Sequence, residues 1–243
     1  GVIAEQLVEG LKNNGGEIRY KSRAVKVLLD RNKAIGVKTA NGEEIFAKTI
    51  ISNATRWDTF GGEGAKEPLI SEVNESTSEK KWQKRYKPSP SFLSLHLGVQ
   101  RDAIPDRSHC HHLILENWNE MEAEQGVVFV SIPTLLDSEL APKGRHIIHS
   151  FTPSSIDEWK QLTPSEYKKK KEIDSKKLIA RLENVFPGLS EKVVHTEVGT
   201  PKSHRRFLNR HNGSYGPIPR IRLPGLLPMP FNTTKIKGFY CVG

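Results

Sequence analysis

The chain has 243 residues, of which 36% are hydrophobic and 27% are charged, and its mean hydropathy is −0.52. This length allows one large domain or two modest ones, and no apolar run approaches the ~20 residues that cross a bilayer as a helix. The net charge of +9 favours anionic partners such as nucleic acid, a phosphate-bearing cofactor or anionic lipid. Two distant cysteines, Cys110 and Cys241, exclude a disulfide framework and fit a reducing compartment.

The N-terminal part of the chain predicts one helix and a small meander. Apolar side chains that repeat every four residues indicate a helix over residues 2–13. We expect a short strand over residues 17–20 and then three strands, with Asn41-Gly42 as a two-residue hairpin turn. The apolar run at residues 49–52 is typical of a strand buried in a parallel sheet, anchored by Ile50 and Ile51. The three meander strands are predicted over residues 25–29, 34–39 and 43–48.

The middle of the chain predicts a largely antiparallel sheet. Residues 61–90 are rich in Gly, Glu, Ser and Lys, which indicates a loop containing one short helix. After this loop, four apolar positions from Leu93 to Val99 alternate with other residues, as expected of a strand with one buried face. Pro-, Asp- and Gly-containing connections separate the further strands. The four strands of this sheet are predicted over residues 93–99, 109–115, 127–132 and 146–151.

The C-terminal part predicts a long helix followed by irregular chain. Residues 163–166 (Thr-Pro-Ser-Glu) form a capping box with proline at the first helical position, so we expect a helix to about Phe186 and then a strand over residues 192–198. Six prolines between residues 201 and 230 predict extended surface chain, because proline has no N–H to donate. Residues 238–243 predict a short buried strand, and we expect that the chain is truncated at both ends.

A cluster of histidines raises the question of a metal site. His109-Cys110-His111-His112 lies near His96, His146 and His149 on neighbouring predicted strands, and three or four converging ligands would bind zinc. The alternative is that these side chains are half-buried polar residues of a sheet. Since the chain has no Cys-x-x-Cys or His-Glu-x-x-His spacing, we predict that no metal is bound.

A second cluster is basic and contains aromatic residues. Arginines 205, 206, 210, 220 and 222 lie close to Phe207 and Tyr215, a composition used for single-stranded nucleic acid. No nucleic-acid-binding module accompanies them, so we predict no nucleic acid partner. The same arginines could face the phosphates of a cofactor or of lipid headgroups.

The segment from Leu223 to Phe231 is apolar or neutral and has no helical periodicity. It could line an apolar cleft, touch a bilayer surface, or pack over the core as a loop. Motifs identify no catalytic residue. No Gly-x-Gly-x-x-Gly follows a strand, the spacing in residues 61–64 (Gly-Gly-Glu-Gly) is wrong, and no Walker loop or Gly-x-Ser-x-Gly is present.

The order of these segments resembles the carotenoid isomerase and phytoene desaturase family of flavoproteins. The helix at residues 2–13, the meander with its Gly-Val and Asn-Gly pairs, and Ile50-Ile51-Ser52-Asn53-Ala54 follow the pattern of that family. Further segments point to its prolycopene isomerase branch, and the resemblance covers essentially the whole chain. These segments are PSFLSLHLGV, SIPTLLDSELAPKGRHIIHSFT, VGTPKSHRRFLNRHNGSYGPIPR and GFYCVG.

The resemblance implies a mixed α/β fold, which is part of a two-dinucleotide-binding FAD fold with an inserted substrate domain built on a largely antiparallel sheet. Residues 1–57 would belong to the FAD domain, residues 58–230 to the substrate domain, and residues 231–243 to the return into the FAD domain. The implied cofactor-binding residues are Val25, Ser52, Asn53, Ala54 and Gly243. The implied substrate cavity includes Tyr215, and the cleft interpretation adds Leu226, Leu227, Met229 and Phe231.

The implied activity is the cis–trans isomerisation of poly-cis-lycopene to all-trans-lycopene with a reduced flavin, in carotenoid biosynthesis. The alternative is a related FAD-dependent desaturase or a retinol-saturase-like oxidoreductase. The resemblance also implies FAD, with a nicotinamide nucleotide as a candidate reductant, and peripheral contact with a plastid or cyanobacterial membrane. It names no catalytic residue.

Overall fold

The computed structural model describes residues 2–62, 65, 67–71, 78–221 and 231–243. The chain divides into two compact units, of which the first comprises residues 1–84 with 230–243 and the second residues 85–229. The first unit therefore extends beyond the predicted boundary at residue 57. The assignment of segments to a cofactor domain and a substrate domain stays a prediction.

The described residues contain α-helices and strands in the following order. The helices are α1 (Val2–Asn13), α2 (Arg56–Phe60), α3 (Ser78–Arg85), α4 (Asp157–Lys160), α5 (Pro164–Glu183) and α6 (Pro201–Leu208). The strands are β1 (Ala24–Asp30), β2 (Lys33–Thr39), β3 (Glu44–Phe46), β4 (Ile50–Ser52), β5 (Tyr86–Pro88), β6 (Ser91–Gln100), β7 (His111–Leu115), β8 (Val127–Ser131), β9 (Arg145–Ser154), β10 (Val193–Gly199), β11 (Pro217–Pro219) and β12 (Phe239–Cys241).

The first unit contains the predicted meander and the predicted parallel strand. Strands β1, β2 and β3 pair in that order as an antiparallel sheet, and β4 pairs in parallel with β12. The strand predicted over residues 17–20 is wrong: Arg19 bonds to Glu17 and Glu43 through side chains, and no backbone ladder forms there. The core of this unit consists of Val27, Ala34, Phe60, Ile70, Phe239 and Cys241.

The second unit is built on a five-stranded antiparallel sheet with the order β10-β6-β9-β8-β7. The predicted strands of this sheet are confirmed. The four apolar side chains from Leu93 to Val99 are buried on one face, where they form a core with Trp159 and with Leu178 and Leu182 of α5. The capping box of α5 is also confirmed, since Thr163 and Glu166 bond reciprocally to each other's backbone N–H.

The proline-rich region contains regular structure that the sequence analysis missed. Helix α6 begins at Pro201, and Thr200 and Ser203 form its capping box, so this proline starts a helix instead of excluding one. Strand β11 pairs with β5, and Pro217 is buried. The prediction of extended surface chain is therefore wrong for residues 201–208. Residues 217–219 are extended, as predicted, but they pair as a strand that begins with a buried proline.

Candidate functional site

The carboxyl ends of β4 and β12 bring together most of the predicted cofactor-binding residues. Because the two strands are parallel, Ser52-Asn53-Ala54 and Gly243 follow them at the same edge, and the N–H of Val242 donates to the Ser52 carbonyl at 2.8 Å. A Cβ atom on Gly243 would overlap with the Asn53 carbonyl oxygen. Glycine is therefore required for this close approach, at the sheet edge where open α/β sheets bind ligands.

The side chains at this edge have different roles. The Ser52 hydroxyl is buried, accepts a hydrogen bond from the N–H of Ala54 at 3.3 Å and lies 3.4 Å from the hydroxyl of Thr59. Ser52 therefore shapes the turn, whereas the Asn53 side chain is exposed and free to meet a ligand. The prediction that Ile51 anchors a buried strand is wrong. This side chain is 66% exposed, because successive side chains of β4 point to opposite faces.

Val25 lies at a β-bulge, away from a regular position of the β1–β2 ladder. Ala24 pairs with Thr39 and Lys26 pairs with Lys38, so two steps on β1 correspond to one step on β2. Bulges of this kind release backbone groups from the ladder and occur next to binding sites. The geometry is compatible with the predicted contact between the Val25 backbone and a cofactor, which stays a prediction.

A buried ion pair behind the β4 turn was not predicted from the sequence. Nη1 of Arg56 donates to both carboxylate oxygens of Glu79 at 2.7 and 2.8 Å, and the two side chains are only 5% and 9% exposed. Arg56 also donates to the Phe231 carbonyl oxygen and lies 5.2 Å from the ring centroid of Trp82. This arginine therefore ties together three segments of the first unit. Since its charge is neutralised by Glu79, it is not available for a phosphate.

The second unit presents an open sheet face, opposite the face that is packed against α5. Residues that are directly opposite each other on neighbouring strands share a face, so the register arranges this surface in two rows across the strands. The polar row consists of Glu197, His96, His149, Ser131 and His111. The apolar row, two residues further along each strand, consists of Gly199, Ser94, Phe151, Phe129 and Leu113.

Aromatic rings form a continuous surface that starts in the apolar row at Phe129 and Phe151 and continues beyond it to Phe92 and Tyr215. Phe129 stacks on Phe151 with ring centroids 5.0 Å apart and planes inclined by 14°. Phe92 meets Phe151 edge-on at 5.0 Å and meets Tyr215 at 4.8 Å. These four aromatic residues are called the aromatic strip below. Phe129 and Tyr215 are exposed, which shows that the strip is accessible from solvent in the described structure.

Three histidines border the aromatic strip. His96 and His149 stack with ring centroids 4.3 Å apart, and His204 of α6 bonds through Nδ1 to the Tyr215 hydroxyl at 3.2 Å and through Nε2 to the Ser94 hydroxyl at 3.4 Å. Burial lowers the pKa of His149, with further lowering by His96 and His204, and burial likewise lowers the pKa of His204. Burial raises the pKa of Tyr215. The lowered pKa values favour the neutral imidazoles of His149 and His204 beside the strip.

The predicted substrate-cavity residues are distributed over both units. Tyr215 is part of the aromatic strip, whereas Phe231 is in the first unit, is 77% exposed and contributes its carbonyl to Arg56. Leu226, Leu227 and Met229 lie outside the described residues. The sequence analysis missed the rest of the strip, although the alternation of Phe92 with the buried leucines of β6 was a usable signal.

Within the part of the chain that the structure describes, no group of three or more His, Cys, Asp or Glu side chains is arranged to hold a metal ion. His112 packs edge-on against Phe186 at 5.1 Å, and the Cys110 thiol donates to the Ile132 carbonyl at 3.4 Å. His111 belongs to the polar row and lies 3.1 Å from the Ser131 hydroxyl. These contacts account for the cluster as part of the sheet.

Comparison with known proteins identifies the relatives of this chain. No protein-family model matches it. Over its whole length, the chain is 54% identical to the chloroplastic prolycopene isomerase of Arabidopsis thaliana and 51% identical to that of Daucus carota. This chain is homologous to the prolycopene isomerases. It spans 40% and 39% of the lengths of these two isomerases, and the resemblance predicted from the sequence is confirmed.

More distant similarities extend to a phytoene desaturase and to a solved structure. The chain is 24% identical to the phytoene desaturase (neurosporene-forming) of Rhodobacter capsulatus, over 99% of the chain and 47% of that desaturase. An oxidoreductase from Methanosarcina mazei is structurally similar with a TM-score of 0.62 and 19% identity, over 98% of this chain and 47% of that one. This likeness shows the fold alone, and it agrees with the predicted mixed α/β architecture.

Proposed function

We propose that this chain is the substrate-binding sheet and part of the cofactor site of a carotenoid cis–trans isomerase, which converts poly-cis-lycopene to all-trans-lycopene. The observation that carries the proposal is the identity of 51–54% with prolycopene isomerases along the whole chain. The alignments extend through both compact units. The substrate and reaction named in those relatives are therefore the first candidates for this protein.

The aromatic strip supports a conjugated hydrocarbon as substrate. A polyene is long, flat and apolar, and its recognition needs a continuous apolar surface without charged groups. The strip supplies this surface, since its aromatic rings contact one another at 4.8 to 5.0 Å in the sequence Phe129, Phe151, Phe92 and Tyr215. The pKa values of His149 and His204 are lowered, which favours their neutral imidazoles. These two side chains therefore add no buried charge beside the substrate.

FAD is the cofactor that the sequence resemblance implies, and the residues at the β4–β12 edge fit it. Gly243 presents no side chain, Asn53 is exposed, and the bulge at Val25 frees backbone groups for contact. Asn53, Ala54 and Gly243 would lie against the cofactor, while Ser52 holds their turn in place. When bound and reduced, FAD supplies electron density that lowers a double-bond order temporarily. A nicotinamide nucleotide is the proposed source of the reducing equivalents.

A desaturase is the second candidate function, and a retinol-saturase-like reductase belongs to the same alternative. The similarity to the Rhodobacter capsulatus phytoene desaturase supports it, because it also extends over almost the whole chain. The identity of 24% is less than half of that with the prolycopene isomerases, so isomerisation is favoured. The two functions differ in hydrogen count: isomerisation conserves it, and desaturation or saturation changes it by two.

The proposed location is based on the relatives, and the proposed partners are based on the substrate. The first relatives are chloroplastic, which supports a plastid location. Carotenoids dissolve in bilayers, so we propose peripheral membrane contact and no nucleic acid partner. Within the described part of the chain, none of the helices has the length and apolar character to cross a bilayer.

The proposal is tested with the full-length gene product that contains this chain. The purified protein is incubated anaerobically with FAD, a reductant and tetra-cis-lycopene. The products are separated by chromatography, and their molecular masses are measured by mass spectrometry. The expected product is all-trans-lycopene of unchanged mass. A product that differs from the substrate by two hydrogens would support the desaturase or saturase alternative instead.

A further inference from the structure

Helix α6 is held by its first turn, while its last turn projects into solvent. Thr200 and Pro201 at its start are buried, and His204 bonds to Ser94 and Tyr215 on the open sheet face. The last turn is exposed throughout and consists of Arg205, Arg206, Phe207 and Leu208, which are called the α6 tip below.

Folding alone does not explain the composition of the α6 tip. Arginines in the last turn of a helix stabilise its dipole, which accounts for the two cations. The helix dipole does not account for Phe207, which is 79% exposed and whose ring centroid lies 5.4 Å from the Arg206 guanidinium. Leu208 beside it is also exposed. Two apolar side chains at the end of a helix, flanked by two arginines, fit a surface that is both apolar and anionic.

We propose that the α6 tip docks on an anionic lipid bilayer. Phe207 and Leu208 enter the boundary between headgroups and acyl chains, and Arg205 and Arg206 pair with lipid phosphates. The choice of a membrane over nucleic acid rests on Leu208, since an aliphatic side chain gives no stacking surface to a base.

If the proposed function holds, membrane contact at the α6 tip would bring the bilayer close to the aromatic strip. His204 is in the same helix as the tip and bonds to Tyr215, which is the end of the aromatic strip. A carotenoid that leaves the bilayer at the tip would therefore reach the strip along one short helix. Lys202 is not part of the tip, because it lies over the Tyr167 ring at 5.2 Å.

The test is vesicle flotation of the full-length gene product, with vesicles of phosphatidylcholine containing a third of phosphatidylglycerol. The double variant Phe207→Ser/Leu208→Ser should bind roughly tenfold more weakly than wild type, because its apolar insertion is lost. Arg205→Gln and Arg206→Gln should each weaken binding about fivefold at low salt, with little effect on vesicles of phosphatidylcholine alone. The matched control is Trp118→Ser, which changes an equally exposed aromatic side chain (79%) between Glu116 and Glu120. It should bind like wild type.

Wild-type binding by the Phe207→Ser/Leu208→Ser variant would overturn the proposal. So would vesicle binding that is unaffected by the arginine changes, or a single-stranded oligonucleotide that binds at physiological salt through the same residues in place of the vesicles. Flotation needs no turnover, so its result is independent of the isomerase proposal. If isomerisation holds, the double variant should react at the wild-type rate on detergent-solubilised substrate and more slowly on substrate in vesicles.

Discussion

Removal of Glu79 should destabilise the first unit strongly, because this carboxylate is the partner of a buried guanidinium. The Glu79→Ala variant leaves the charge of Arg56 in a site where its side chain is only 5% exposed, without the two hydrogen bonds at 2.7 and 2.8 Å. The carbonyl of Phe231 and the ring of Trp82 remain as its neighbours, and neither neutralises the charge. Removal of one partner of a buried ion pair costs about 3–5 kcal/mol, and we expect a loss in this range.

Urea unfolding monitored by tryptophan fluorescence measures this loss, since Trp57 and Trp82 are near the pair with ring centroids 5.1 Å apart. The control is Asp106→Ala, which breaks an ion pair with Arg101 whose side chains are 83% and 59% exposed. This change should cost less than about 1 kcal/mol.

A double variant separates the pair from simple loss of packing. Arg56→Met/Glu79→Leu replaces both charges with apolar groups, and it should recover most of the stability that Glu79→Ala loses, because no unpaired charge remains. The reasoning would be refuted by a Glu79→Ala variant that is no less stable than Asp106→Ala.

Three further predictions concern titration, reactivity and packing. Burial lowers the pKa of His149, with neighbouring histidines lowering it further, so the unfolded state binds its proton more readily. Stability should therefore fall as the pH drops below about 6.5, and His149→Gln should reduce the change in urea midpoint between pH 8 and pH 5.5. Burial raises the pKa of Cys241 to about 11, so a thiol reagent at pH 8 should modify Cys241 only after urea unfolding. Cys110, which is partly exposed, should react in the folded protein. Gly243→Ala should weaken FAD retention and lower stability, since its Cβ would overlap with a backbone carbonyl, whereas Gly10→Ala in open space should stabilise α1 by about 0.5–1 kcal/mol.

The strands and the capping of α5 could be predicted because their signals are local. Alternation from Leu93 to Val99 and the Thr163 capping box each lie within ten residues, and each is present in the structure. A hairpin turn also forms at Asn41-Gly42, but the predicted two-residue length is wrong, because residues 40–42 lie between the paired Thr39 and Glu43. The local signal of α6 was present as well, in Thr200-Pro201 followed by Ser203. The later prolines outweighed it in the sequence analysis, although Pro201 occupies the first helical turn, where proline is favoured.

The candidate sites could be predicted only in part, because they depend on register and on distant pairs. The polar row joins residues from His96 to Glu197, and its composition follows from which residues oppose each other on five strands. Arg56 and Glu79 are 23 positions apart and carry no periodic pattern that would pair them. Ser52-Asn53-Ala54 and Gly243 were named through family resemblance, and the parallel pairing of β4 and β12 supplies the physical reason for their proximity.

The most direct test of carotenoid isomerisation on the open sheet face is the rate at which Phe129→Glu converts tetra-cis-lycopene. Phe129 lies in the apolar row on β8 and is 36% exposed, so a carboxylate there would be desolvated by the polyene without emptying the core. The rate at low substrate concentration should fall at least about tenfold, with unchanged product mass, while Phe46→Glu at an exposed position of β3 should react like wild type. A Phe129→Glu protein that isomerises tetra-cis-lycopene at the wild-type rate would contradict carotenoid binding at this face.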